Sequence, residues 1–223
     1  MQKSIAVLST LLLLAGCGSV GAPATVTRTQ ASNVDAKGFF IRLPKDRALT
    51  NAENELEFDG FRKLATAEAT KFHKAARLQQ AFCLNLTEKG LRAIDANLHF
   101  YFDVPGSIMR LHVAVKGTAL SFSQVPLEGL IKGLQPMAEP KLGMVAAIDA
   151  ARSLARVDAP FLSVKLSQPR NFTHPIYEVM DETHAKDFFL PFEVYCQIDA
   201  MTGQALVGKV DPAAVQEMQA ADR

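Results

Sequence analysis

Leu98-His99-Phe100-Tyr101-Phe102-Asp103-Val104-Pro105-Gly106-Ser107-Ile108-Met109-Arg110-Leu111-His112-Val113 is the stretch that decides the fold. Two runs of alternating apolar and polar residues meet at a Pro-Gly pair. Period-two alternation marks a strand with one buried face, and Pro-Gly between such runs marks a reversal. If Val104 stands opposite Ser107, then Leu98, Phe100 and Phe102 face Val113, Leu111 and Met109 on one side. His99, Tyr101 and Asp103 share the other side with His112, Arg110 and Ile108. A slip by one residue would set apolar side chains against polar ones, so the pattern favours this register. Pro-Gly prefers type I or II turns, which suit a tight hairpin poorly.

Working outward, Asp59 to about Gln80 has a helical pattern. Asp59 can cap it, Phe61, Leu64, Ala65, Phe72, Ala75 and Ala76 share a face, and alanine raises helix propensity. Phe82, Leu84 and Leu86 then alternate with Cys83 and Asn85, which predicts a strand. A short helix is expected over Leu127–Leu134, and Pro136 and Pro140 mark a linker. A second amphipathic helix is expected from Leu142 to Val157, with Val145, Ile148, Ala151, Leu154 and Ala155 on its apolar side. Strands are expected over Phe161–Leu166, Ile176–Met180, Phe192–Ile198 and Gln204–Val210, with a tail over 211–223. Phe39–Ile41 suggests an edge strand. The expected fold class is α+β, with helices packed on antiparallel β-meander sheets. The element order repeats over 38–135 and 141–210, which suggests two similar halves.

The N-terminus reads separately. Lys3 precedes an apolar run from Ile5 to Leu14, followed by Ala15, Gly16 and Cys17. This is a secretory signal, too short to cross a bilayer core that takes about 20 residues. Leu14-Ala15-Gly16-Cys17 resembles the lipobox of bacterial lipoproteins. That resemblance implies removal of residues 1–16 and acylation of Cys17. Residues 18–37, rich in Ala, Ser, Thr, Val and Gly with little hydrophobic periodicity, read with Cys17 as a flexible tether (17–37) to the folded part. Gly18 at the next position implies sorting to the outer membrane, facing the periplasm, rather than retention at the inner membrane. The alternative is an ordinary secretory signal with an accidental cysteine.

Charge and motifs narrow the function. The chain has 24 basic and 23 acidic side chains, and losing Lys3 leaves the signs equal. A balanced chain without a basic cluster gives no case for nucleic-acid steering. Cys83 and Cys196 remain after Cys17. An oxidising compartment permits a disulfide between them, worth about 4–5 kcal/mol for a loop this long. Alternation instead puts Cys196 on an apolar face and Cys83 on the opposite face of its strand, which favours two unbridged buried thiols. No Gly-x-Ser-x-Gly, His-Glu-x-x-His or phosphate-cradling glycine loop occurs, so no catalytic residue and no cofactor is expected. His99 and His112 would be cross-strand neighbours near Asp103. They have the chemistry of a zinc site, but residues on an open strand face are more often solvated. The segment Asp181-Glu182-Thr183-His184 with Asp187 lacks calcium-loop spacing. It runs into Phe188, Phe189 and Leu190, which suggests a partner-binding lip if they do not fold back onto the core.

A second resemblance lies in residues 142–210. Ile176-Tyr177-Glu178-Val179, then Phe192-Glu193-Val194-Tyr195, then Asp199-Ala200-Met201-Thr202-Gly203 resemble the PepSY domain, which carries a Tyr-Glu-Val-type strand and an Asp-x-x-Thr-Gly turn. That resemblance implies a non-catalytic envelope module that binds or modulates peptidases or other proteins. The expectation is therefore a lipid-anchored binding module for a periplasmic protein or peptide, acting through strand edges and the 181–191 loop. A structural or assembly component of an outer-membrane complex is the alternative. An unrecognised hydrolase or small-ligand binder stands behind both.

Overall fold

The structure, a computed structural model, describes residues 33–86, 97–126, 134–155, 162–181 and 193–208. The signal segment, Cys17, the Leu127–Leu134 helix apart from Leu134, the Phe188–Leu190 lip and the tail lie outside these residues. The elements run β1 (Arg47–Ala48), α1 (Asn51–Asn54), α2 (Phe58–Phe72), β2 (Arg77–Leu86), β3 (Asn97–Asp103), β4 (Met109–Lys116) and β5 (Ala119–Pro126). Then come α3 (Met144–Ala155), β6 (Leu162–Ser167), β7 (Ile176–Asp181), β8 (Glu193–Asp199) and β9 (Ala205–Gly208).

The expected fold class is overturned. The nine described strands form one antiparallel sheet in the order β1-β5-β4-β3-β2-β6-β7-β8-β9, and the described helices are three and short. The two expected meander sheets are fused because β2 pairs antiparallel with β6, from Gln80 opposite Ser167 to Cys83 opposite Val164. Each of those strands would otherwise leave a row of unpaired backbone groups at an edge. The sheet therefore runs uninterrupted across the expected boundary. The linker itself is stitched to it: Met137 N–H donates to the Leu78 carbonyl (2.9 Å) and Gln135 N–H to that of Gln168 (3.0 Å).

One face of the sheet carries the hydrophobic core. Leu98, Phe100, Phe102, Leu111, Val113, Ala81, Leu166, Tyr177 and Ile198 are buried there with Phe58, Phe61, Ala65 and Ala69 of α2. Met144, Ala147, Ile148, Ala151 and Leu154 of α3 belong to the same cluster. Val145, expected on the apolar side of α3, is exposed instead, and Met144 takes its place. The helix ends meet at Asp59. It does not cap α2, whose N-cap is Glu57; its carboxylate accepts Met144 N–H at the start of α3 (3.2 Å) and Arg62 Nε (3.3 Å). Arg62 also forks onto Glu139, with both bonds at 2.8 Å. Helix α2 stops at Phe72, eight residues before the expected end, because Arg77–Gln80 pair with β3 and β6 instead. Tertiary pairing here overrides alanine-rich propensity. No described helix is long and apolar enough to cross a membrane.

The hairpin register is also corrected. Leu98 faces Val115, Phe100 faces Val113 and Phe102 faces Leu111, a slide of two residues that keeps every side chain on its expected face. Ser107 N–H donates to the Val104 carbonyl (3.0 Å), and Gly106 has φ +83°, which is the type II geometry that Pro-Gly prefers. Such a turn splays the strands, so pairing resumes farther from the tip. Phe39–Ile41 is no edge strand of the sheet. Val34 bridges Phe40, whose buried ring meets Phe72 edge-on at 5.3 Å, and the sheet edge is the two-residue β1.

Cys83 and Cys196 are both buried and are not joined to each other. Cross-strand pairing aligns Cys83, Val164, Val179 and Cys196 in one row, so Cys83 lies on the core face and not on the opposite face as expected. With two strands between them the thiols are roughly 14 Å apart at a spacing of about 4.8 Å per strand. That is beyond the reach of a disulfide.

Candidate functional site

The second face of the sheet, opposite α2 and α3, carries the polar and aromatic chemistry. Alternation puts His99 and Tyr101 of β3 there, with His112 of β4, Ser123 of β5, Gln80 and Phe82 of β2, and Lys165 and Glu178 of β6 and β7. Pairing then sets these residues side by side: Ser123, His112, Tyr101, Gln80 and Ser167 form one row. His99, Phe82, Lys165, Glu178 and Gln197 form the next.

At its centre is a chain of hydrogen bonds. His99 Nδ1 lies 2.9 Å from His112 Nε2, and His112 Nδ1 lies 2.8 Å from Ser123 Oγ. The register places His112 opposite Tyr101 and His99 opposite Ala114, so the two imidazoles are diagonal neighbours and not a direct pair. Their rings are nearly parallel, with centroids 5.2 Å apart, and Tyr101 stacks on His112 at 4.6 Å. Phe82 meets Tyr101 edge-on at 6.1 Å. In the second row Lys165 pairs with Glu178, which also accepts a hydrogen bond from Gln197 Nε2 (2.9 Å). Asp103 stands opposite Arg77, away from the imidazole chain. Among the described residues no group of three His, Cys, Asp or Glu side chains could hold a metal ion.

Burial, the positive charge of the other imidazole and Lys116 together push His112 down to about 4, and burial and Lys116 also lower His99. Both rings are therefore neutral at pH 7. They can pass their protons in either direction along the chain, so the ring and hydroxyl can each donate or accept toward a ligand. The unfolded chain holds the His112 proton more tightly, so the stability that the neutral ring contributes is complete above about pH 6.5 and is lost as pH falls toward 4. The His112 ring is expected to titrate by NMR with a midpoint near 4. A midpoint near 6.5 would contradict its burial within the row.

Gln80 and Ser167, beside Tyr101 in the first row, are 1% and 0% exposed. Among the described residues neither the amide of Gln80 nor the hydroxyl of Ser167 has a hydrogen-bond partner. An orphaned buried polar group costs about 1–3 kcal/mol, so two adjacent ones on one face call for a function.

No protein-family model matches this chain, and no curated protein matches it. Among solved structures, a candidate lipoprotein of Clostridium difficile 630 aligns with a TM-score of 0.46 at 8% identity, over 74% of this chain and 97% of that one.

The β1–β5 edge of the sheet offers little to a partner strand. Next to β5 stand only the two residues of β1, the Phe122 N–H is taken by Asp46 Oδ1 (2.8 Å), and Pro126 ends the strand. Short strands, acidic side chains and proline are the usual ways of closing an edge. Of the residues singled out in the sequence, His99 and His112 meet here. The Asp199-Ala200-Met201-Thr202-Gly203 turn does not: Asp199 accepts Met201 N–H (2.7 Å), Thr202 N–H (3.0 Å) and a bond with His174 Nδ1 (2.8 Å), and Gly203 has φ +77°. That cluster closes a reversal. Sequence reading missed Gln80, hidden in an Ala/Gln run read as helix, and Ser123, one residue past the expected strand end.

Proposed function

We propose that this chain is a lipid-anchored envelope protein whose polar sheet face binds a periplasmic protein or peptide without converting it chemically. The carrying observation is the Ser123–His112–His99 chain with Tyr101 stacked on it and the orphaned Gln80 amide alongside. Aromatic faces and paired donors and acceptors are what a peptide group and its side chains need. The PepSY-like residues of 142–210 and the Leu14–Cys17 lipobox support the same reading. Binding is favoured over catalysis because an imidazole held near 4 is a poor general base at neutral pH.

Crosslinking in intact cells followed by affinity purification tests this. The native chain should bring down a protein or peptide in stoichiometric yield, and a Tyr101→Ala, His112→Ala double variant that remains folded should lose it. Equal capture by both chains would contradict the proposal.

A further inference from the structure

At the N-terminal end of the described residues, three exposed large hydrophobic side chains gather in one place. Residues 33–41 form a small hairpin: Asp35 N–H donates to the Phe39 carbonyl (2.8 Å) and Ile41 N–H to that of Asn33 (2.9 Å). Alternation then turns Phe40 inward and Phe39 and Ile41 outward, and these are 41% and 67% exposed. Gly38, with φ +86°, lets this hairpin press against the β3–β4 tip, where Ile108 N–H donates to its carbonyl (2.9 Å) and Ser107 Oγ does so at 2.7 Å. Ile108 is 49% exposed. The other large hydrophobics exposed among the described residues, Val145 and Leu206, lie on other elements.

Positive charge borders this apolar ridge. Lys37 is exposed beside Phe39, and Arg42, Lys45 and Lys71 line an open pocket of about 390 Å³ together with Phe72 and Pro44. Glu68 also lines it and is paired with Lys71 (3.0 Å) and with Arg47 (3.2 Å), so among the described residues the pocket's uncompensated positive charge is that of Arg42 and Lys45. Phosphate-bearing headgroups fit such a basic pocket, and acyl chains fit the ridge beside it. Fifteen residues lie between Cys17 and Asn33. Fully extended they reach at most about 55 Å, so a chain acylated at Cys17 keeps this end within range of the bilayer.

We propose that Phe39, Ile41 and Ile108, with the Arg42–Lys45–Lys71 pocket, dock the folded unit onto an anionic phospholipid surface. The inference rests on the lipid-anchoring reading. Docked at this end, the molecule is held in one orientation on the membrane instead of swinging on its tether.

The sequence contains no tryptophan, so Phe39→Trp supplies a single tryptophan, excited apart from the three tyrosines, in the mature, acylated chain. On vesicles of phosphatidylethanolamine and phosphatidylglycerol, its emission should shift blue and be quenched by brominated acyl chains. Leu206→Trp should stay unquenched. Adding Arg42→Glu and Lys45→Glu to the Phe39→Trp chain should reduce quenching several-fold, as should replacing phosphatidylglycerol by phosphatidylcholine. Inorganic phosphate at millimolar concentration should leave the spectrum unchanged, which separates a lipid surface from a free anion. Flotation with the vesicles but no quenching of the Phe39→Trp chain overturns the docking surface and leaves the anchor intact. Failure to float overturns both.

Discussion

Phe100→Ala should lower the stability of the folded unit by about 3–5 kcal/mol, the cost of emptying a fully buried aromatic site. Phe100 is 0% exposed, and its ring lies 5.9 Å from that of Phe58 in α2. The loss would take a large share of the roughly 5–15 kcal/mol that holds a domain folded. Tyr101→Ala, one residue away on the opposite face, should cost only about 1 kcal/mol, because it gives up ring stacking at a half-buried position. Urea denaturation of both variants checks the pair. Equal losses would mean that the two faces of β3 are equally packed, against the division into a core face and a polar face.

Gln80→Leu should have the opposite sign, raising stability by about 1–3 kcal/mol. A buried amide without a partner carries its full desolvation penalty, and leucine of similar volume removes it. The amide is buried in the free chain, so the same substitution should weaken partner capture only as far as binding turns the amide out beside Tyr101. Stability gained at the expense of binding is the usual signature of a functional site. A destabilised Gln80→Leu chain with unchanged capture would show that this amide serves the fold.

The two faces of the β3–β4 hairpin were legible because alternation acts within one strand. Its register was not, because a two-residue slide preserves the alternation and only the type II turn at Val104–Ser107 distinguishes the two settings. The fusion of β2 with β6 was invisible for a different reason. Local periodicity carries no information on which distant strand an edge will accept, and that one pairing turns two expected sheets into one. Gln79 shows how a single residue hides a strand. The bulge between Leu78 and Gln80 breaks the period-two pattern, so the run before Phe82 has a helical look. Cys83 misleads for another reason: the apolar side chains of Phe82 and Leu84 lie on the polar face, and Cys83 between them is the one that is buried. His99 and His112 were recognisable as neighbours. Their link to Ser123 was not, because it depends on a strand partner that the hairpin alone does not specify.

The most direct measurement is site-specific photo-crosslinking in living cells, with a benzophenone side chain placed at Tyr101, at Ser123, or at Lys63 on the exposed side of α2. A defined protein or peptide adduct from Tyr101 and Ser123, absent from Lys63, is the predicted result. Adducts from Lys63 with none from Tyr101 or Ser123 would contradict the assignment of the polar sheet face as the binding surface.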